Sequence, residues 1–362
     1  MFEQEEQFCP ECDALATPDA GVSRRNFIKA VGGTAVTLGA LQAVPHAASV
    51  AIGQQPAAAQ PGGNAKPAEA LVRELYSGLS DEQKRNAVYP WNHGATASQP
   101  ATRLRFYNAA AMGNGKTVGD IYTPAQQDLI ERILRSIASD DAGMRQLTRN
   151  GTYDGSQSLR RCGVYIFGDP TGNQQFCWLF TGHHLTVRCD GNSEPDTAFG
   201  GPMYYGHSPD GYSQRNCFNY QTRSVRTLFD ALNGAQQTRA LRNVGQNEPG
   251  ELLPSVQFRT EQRGLPIGDM TADQRRLVED VMRTVLSPYR REDADEAMDL
   301  IRRNGGMDRI HIAFYRDANE ADARRWDFWR LEGPGFVWNY RVLPHVHTYV
   351  NIALRPPQQQ GT

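Results

Sequence analysis

The second part of this chain repeats the first, block by block and in the same order, at an offset of about 150 residues, and this limits the fold more than any other feature. Val72-Arg73-Glu74-Leu75-Tyr76-Ser77-Gly78-Leu79 is matched by Val225-Arg226-Thr227-Leu228-Phe229-Asp230-Ala231-Leu232, and the match runs on into Gln83 and Gln236, then Ala87 and Ala240. Val72, Leu75 and Leu79 stand at helical spacing, and their counterparts keep it. A second block, Gly115 to Ile121 against Gly264 to Met270, leads in one half into Thr123-Pro124-Ala125-Gln126 and in the other into Thr271-Ala272-Asp273-Gln274. Thr followed three residues on by Gln is a capping box, which satisfies two orphan backbone donors, and Pro124 suits the first helical position. The third block pairs Trp178 to Leu185 with Trp329 to Phe336, each after a strand-like run, Gly163 to Phe167 and Ile310 to Phe314.

Each half therefore reads helix, helix, strand, strand. Sequence-adjacent strands joined by short Gly-containing turns favour antiparallel pairing. The expectation is an α+β fold, a single domain of two related halves at about 67–220 and 221–355, with helices outside. The two sheets are joined or packed around a pseudo-twofold axis. Gly333-Pro334-Gly335 reads as a turn, and by correspondence Gly182-His183-His184 turns as well.

Upstream, Ser23-Arg24-Arg25-Asn26-Phe27-Ile28-Lys29 matches the twin-arginine export motif S-R-R-x-F-[LI]-K, and a weakly apolar run from Ala30 to Val44 follows. Small residues at 45–52 offer cleavage sites, so residues 1–51 are expected to be a signal peptide. The precursor is then a client of the twin-arginine export machinery, and the mature protein is periplasmic or extracellular. Residues 52–66 are Gln, Pro, Ala and Gly with almost nothing to bury, a disordered tether, and 356–362 form a tail. About 310 residues remain, enough for a sizeable core. A formal charge of −2 over 362 residues gives no reason to expect nucleic acid as a partner. No apolar run is long enough for a stable membrane span.

Of six cysteines, Cys9 and Cys12 precede the export motif, and Cys162, Cys177, Cys189 and Cys217 remain in the mature chain. In an oxidising compartment an even number favours disulfides. Cys177 and Cys189 are symmetric about the turn at 183, so Cys177–Cys189 with Cys162–Cys217 is the preferred pairing among three.

The chemistry is carried by histidine. His345-Val346-His347 lies in an alternating run, and residues i and i+2 of a strand share a face, so both imidazoles can reach one ion. His183 and His184 can complete the set from the turn of the first half. Where the first copy has His-His the second has Pro-Gly, so the turn itself does not need them. Neutral imidazoles suit zinc or copper, with an open position for hydrolysis or oxygen chemistry. The small-molecule ligand is not read from the chain. In the alternative reading the protein is a non-catalytic binding or envelope-associated one, with structural His pairs. His207 is a loop candidate for a further ligand, whereas His93 and His311 read as structural. Asp190, Glu194, Asp196 and Asp210 form an acidic loop, and Glu332 reads as either functional or solvent-facing. No G-x-S-x-G, H-E-x-x-H, haem C-x-x-C-H or dinucleotide fingerprint is present in the sequence.

At these residues the chain resembles the bacterial family catalogued as domain of unknown function 3500. The resemblance rests on Trp178 with Gly182-His183-His184-Leu185, on Gly333-Pro334-x-Phe336 and on His345-x-His347-Thr348, and spans most of Lys66 to Ile352. After Phe336 the family usually carries an acidic I-E-Y-D, where this chain has Trp338-Asn339-Tyr340-Arg341; after H-x-H-T the family runs W-R-D, where this chain has Tyr349-Val350-Asn351. The resemblance implies the fold unit and its His pairs, and no particular activity.

Overall fold

A computed structural model describes residues 68–105, 115–244, 258 and 262–354. The expected export signal, tether and C-terminal tail, with Cys9 and Cys12, lie outside the described residues. The first stretch holds α1 (Ala68–Ser77), α2 (Asp81–Ala87), β1 (Val88–Tyr89), α3 (Val118–Ile121), α4 (Pro124–Ile137), α5 (Asp141–Thr148), β2 (Gly163–Gly168), β3 (Phe176–Gly182), β4 (Leu185–Cys189) and β5 (Met203–His207). It is followed by α6 (Asn219–Asp230), α7 (Gly234–Ala240), β6 (Leu241–Asn243), β7 (Leu265–Pro266), α8 (Ala272–Leu286), α9 (Arg291–Arg303), β8 (His311–Arg316), β9 (Phe328–Gly333), β10 (Phe336–Arg341) and β11 (Val346–Ile352).

The fold is α+β, with one continuous eleven-stranded sheet in the order β1-β2-β3-β4-β5-β11-β10-β9-β8-β6, and β7 paired to β8. Neighbours are antiparallel except β1 with β2 and β6 with β8, which are parallel. The expectation of two strands per half is too low: among the described residues β1–β5 fall in the first part and β6–β11 in the second. The two parts meet where β5 runs antiparallel to β11, with His207 opposite Val346 and Gly206 opposite His347.

Strand alternation sends one set of side chains into the main core. Trp178, Trp329, Trp338 and Tyr340 pack there with Leu75, Ile130, Val225 and Val281 from the helices. The opposite face is buried too, but it is mixed. It carries the aromatic groups Tyr204 with Tyr349 and Tyr165 with Phe167, beside the buried Arg330, Asn339, Arg341 and His347. Tyr89, Trp91 and Phe258 pack against it.

The helix starts follow the expected capping chemistry. Thr123 with Gln126 and Thr271 with Gln274 form complete capping boxes, as do Ser80 with Gln83 and Asn233 with Gln236. The glutamines also tie the helices together. Gln83 Nε2 donates to Gln126 Oε1 at 2.7 Å, and Gln236 Nε2 to Gln274 Oε1 at 3.0 Å. Gln126 Nε2 donates onward to the Gly78 carbonyl and Gln274 Nε2 to the Ala231 carbonyl, at 2.9 and 2.7 Å.

The expected disulfides are absent: Cys162, Cys177, Cys189 and Cys217 are free thiols. The β3–β4 register explains the hairpin pair, because Cys189 stands opposite Trp178 and not opposite Cys177. Cys177 therefore points into the face of Tyr165 and Phe167, while Cys189 points into the helix-side core. Burial pushes the thiols of Cys162 and Cys177 up to about 12, which leaves them protonated and unreactive.

Replacing Gln274 with Ala removes the side-chain acceptor of Thr271 N and strands the Ala231 carbonyl, so it is expected to cost about 1–3 kcal/mol in urea unfolding. Gln126→Ala, at a more exposed site, is expected to cost less. A Gln274→Ala protein as stable as wild type would remove this tie from the account.

Candidate metal centre

The β3–β4 hairpin turns on His183 and His184, and His184 holds the left-handed conformation, φ 59°, that Gly335 holds at φ 63° between β9 and β10. An L-residue accepts that region at some strain. Tyr153, Asp154 and Gln157 in the loop facing the turn are left-handed as well, at φ 52°, 51° and 63°. Strain gathered at the ends of two segments that meet is characteristic of a site held by its surroundings.

His184 is fully buried and its two ring nitrogens have separate partners. Nδ1 lies 2.7 Å from Asp154 Oδ2, and Nε2 lies 2.9 Å from His347 Nε2. His347, from β11, is also fully buried; its Nδ1 is 3.0 Å from the Tyr349 hydroxyl and its Nε2 is 2.8 Å from His345 Nε2. His345 sits one residue before the strand. Arg341, at the end of β10 and opposite His347 in register, reaches both: Nη2 is 2.9 Å from His345 Nε2 and 2.8 Å from His347 Nε2. The approach of β5 to β11 is close enough that a Cβ on Gly206 would lie 2.3 Å from the Val346 carbonyl oxygen and 3.2 Å from the His347 ring.

The proton positions follow from the partners. Burial alone would raise the Asp154 carboxyl, but the hydrogen bond from His184, with Arg149 close by, outweighs it and holds the group well below the usual carboxylate range. Asp154 is thus ionised and only accepts, from Ser208 N at 3.2 Å, Ser208 Oγ at 2.9 Å and His184 Nδ1–H. Burial pushes His184 well below the usual imidazole value, so with a proton on Nδ1 its Nε2 is bare. Burial, then the Arg341 guanidinium, does the same to His347. Since a guanidinium only donates, the Nε2 atoms of His345 and His347 both face Arg341 with lone pairs. The His184–His347 contact therefore sets one lone pair against another at 2.9 Å, an arrangement that a cation between them would relieve.

His184, His345 and His347 could hold a metal ion, as could Asp154, His183 and His184. The donors of the first set are three imidazole nitrogens, and each of two has its other nitrogen oriented by an oxygen, Asp154 or Tyr349, as metal-ligating histidines do. Tetrahedral nitrogens about 2.1 Å from an ion lie about 3.4 Å apart, so the rings would open by about half an ångström to accept one.

The remaining candidates do not enter the three-imidazole set. The His183 ring packs tilted against His184 with centroids 3.9 Å apart, and its Nδ1 accepts from Gly155 N at 2.9 Å, so it borders the three imidazoles without joining them. His207 Nδ1 accepts from Cys217 N, and the His93 ring packs tilted against Tyr89. Asp190 closes its own loop by accepting from Glu194 N, while Glu194 pairs with Arg103, Asp196 with Arg303 and Asp210 with Arg325. Glu332 is buried in β9, not solvent-facing. Sequence reasoning missed Asp154, Tyr349 and Arg341. Only Tyr349 left a signal, two residues beyond His347 on the same strand face.

A family model described as protein of unknown function (DUF3500) matches residues 62–355. The chain belongs to this family. No curated protein and no solved structure matches it.

Two outcomes are expected. His184 and His347 fold with pKa values below the ordinary value of about 6.5. The unfolded chain therefore binds more protons below that pH, and stability is full above about pH 6.5 and falls as pH drops. Urea-unfolding midpoints from about pH 7.5 to 5 check this; a midpoint that rises toward pH 5 contradicts buried neutral imidazoles. Gly206→Ala forces β5 from β11 and is expected to lose about 1–3 kcal/mol, with His345 and His347 moved from His184.

Proposed function

We propose that this is an exported metalloprotein, with zinc or copper held by His184, His345 and His347, and that the metal centre is enzymatic. The observation that carries this reading is the approach of the Nε2 atoms of His184 and His347 to 2.9 Å in a fully buried position. The carboxylate–histidine pairing of Asp154 with His184 fixes the tautomer and makes the ligand more basic, which suits either zinc or copper. When bound, such an ion supplies Lewis acidity toward a substrate oxygen or a water. The protein's own part is to exclude solvent, to hold Asp154 ionised behind His184 and to orient His347 through Tyr349. Hydrolysis fits an all-imidazole donor set without thiolate or thioether; oxygen chemistry at copper is the second enzymatic reading.

The site also supports a non-catalytic reading. Arg341 already donates to two of the three Nε2 atoms, and a proton shared between His184 and His347 would satisfy the third contact without metal. Elemental analysis separates the two. About one zinc or copper per chain is expected in purified protein, and its loss in a His345→Ala/His347→Ala variant. Substoichiometric metal in wild type, or undiminished metal in the variant, leaves the histidines structural and the protein a binding or envelope-associated one.

Two further parts of this reading rest on sequence and topology. Export by the twin-arginine route is supported by Ser23 to Lys29, and folded export suits a centre loaded before translocation. Replacing Arg24 and Arg25 with Lys is expected to trap the precursor in the cytoplasm; normal export of that variant removes the assignment. An origin by internal duplication, with a pseudo-twofold axis near the β5–β11 pair, is supported by the sheet order read outward from that pair. The paired glutamine ties and the shared place of Trp178 and Trp329 on the third strand from each end support it too. Superposition of β2–β5 on β8–β11 tests it: helix pairs falling in unrelated positions would end it.

A further inference from the structure

A cavity of about 70 Å³ lies between α1, the start of α9 and the β4–β5 connection, and none of the clustered histidines lines it. Its walls carry four carboxylates, Glu69, Asp190, Asp293 and Glu296, against two guanidinium groups, Arg188 and Arg290, so negative charge is in excess. Arg290 gives Nε and Nη2 to Asp293 at 3.0 and 2.7 Å, and Arg188 donates to the backbone carbonyls of Arg103, Pro202 and Arg105. Asp190 is 9% exposed and accepts from the backbone, Asn192 N at 3.3 Å and Glu194 N at 2.8 Å. Among the described residues, the side chains of Glu69 and Glu296 make no hydrogen bond or ion pair. The Tyr289 hydroxyl is buried without a hydrogen-bond partner, although the residue lines the same cavity and is 3% exposed. Burial raises the carboxyl of Asp190; burial, then Asp293 and Asp190, raises that of Glu296. Carboxylates crowded in this way are destabilised until a cation joins them.

The kind of cation follows from the spread of the acceptors. Among the described residues only the two histidine-containing groups converge as ligands of one ion, so these carboxylates stand too far apart to share a metal. A single ammonium nitrogen draws its acceptors to within about 5 Å of each other and meets the same limit. A guanidinium spreads its N–H donors around a plane, which suits separated carboxylates, and it stacks on aromatic faces. Phe199 and Tyr289 both line the cavity, with ring centroids 5.2 Å apart. The volume, about that of two waters in the liquid, admits a flat cation of this size. We propose that this cavity binds the guanidinium group of a ligand, with Glu69, Asp190 and Glu296 as its countercharges and the Tyr289 hydroxyl accepting one of its N–H groups. The site goes beyond the metal reading and does not depend on it.

The test is calorimetric titration of the full chain with guanidinium chloride, N-acetyl-arginine amide and methylammonium chloride at constant ionic strength, at millimolar concentrations far below denaturing ones. Guanidinium is expected to bind with a Kd of about 1 mM or tighter, within reach of a ligand of four heavy atoms, and methylammonium at least tenfold more weakly. Binding of the arginine amide as tight as that of guanidinium assigns an arginine side chain as the occupant; binding of guanidinium alone assigns a compact guanidino compound. Glu296→Gln is expected to weaken guanidinium binding at least tenfold and Tyr289→Phe at least threefold. Glu296 makes no bond that holds the fold, so its variant should fold as wild type does, and Glu69→Gln, with the same expected loss, replaces it if it does not. No guanidinium binding in wild type, equal binding of methylammonium, or undiminished binding in the folded glutamine variant overturns the inference. Each of these outcomes leaves the metal reading where it stood, since that reading is tested by metal content alone.

Discussion

The candidate centre depends on the antiparallel contact of β5 with β11. That pairing sets Gly206 against His347 with no room for a side chain between, and Gly206 N in turn donates to the His184 carbonyl at 3.0 Å. A single glycine thus brings a hairpin of the first half against a terminal strand of the second. Its effect is geometric. Backbones that approach this closely hold the imidazoles near one another, and a paired sheet on either side keeps the strands from sliding. Since side chains alternate along a strand, slipping by one residue would turn His347 into the helix-side core and Val346 toward His184.

Electrostatically, the centre is built from groups whose protonation each partner dictates. Asp154 is held ionised by three donors, so His184 keeps its proton on Nδ1. Arg341 can only donate, so the Nε2 atoms of His345 and His347 are acceptors. The result is a cluster of lone pairs in a place where burial disfavours protonating any imidazole. The chain's own guanidinium reaches these lone pairs, and the three histidines could also hold a metal ion.

Much of the fold was legible before any coordinates. The capping boxes at Thr123 and Thr271 appear as read, because they depend only on contacts within four residues. The two-residue turn at His183 and His184 was legible from its counterpart, Pro334-Gly335, and the same-face placement of His347 with its neighbours from strand alternation. The expected disulfide failed for a reason of register. The Cys177–Cys189 pair looks symmetric about its turn, but hairpin register places Cys189 opposite Trp178 and sends the two sulfurs to opposite faces of the sheet. Register over a distance of several residues is decided by the turn and by packing, and spacing alone does not encode it.

By itself the sequence determined the α+β class, the helix starts and the histidine pairs as the residues most suited to bind an ion, because periodicity, capping and donor chemistry are local properties. Only the tertiary structure decided that both parts share one sheet, that His184 and not His183 faces His347, and that Asp154 and Arg341 complete the cluster. Asp154 precedes His184 by a whole hairpin, and Arg341 meets His347 across a strand pair. Which of many carboxylates and guanidinium groups arrives at a given imidazole is settled by how the strands pair and where the backbone can come close, and those distances exist only in the folded chain.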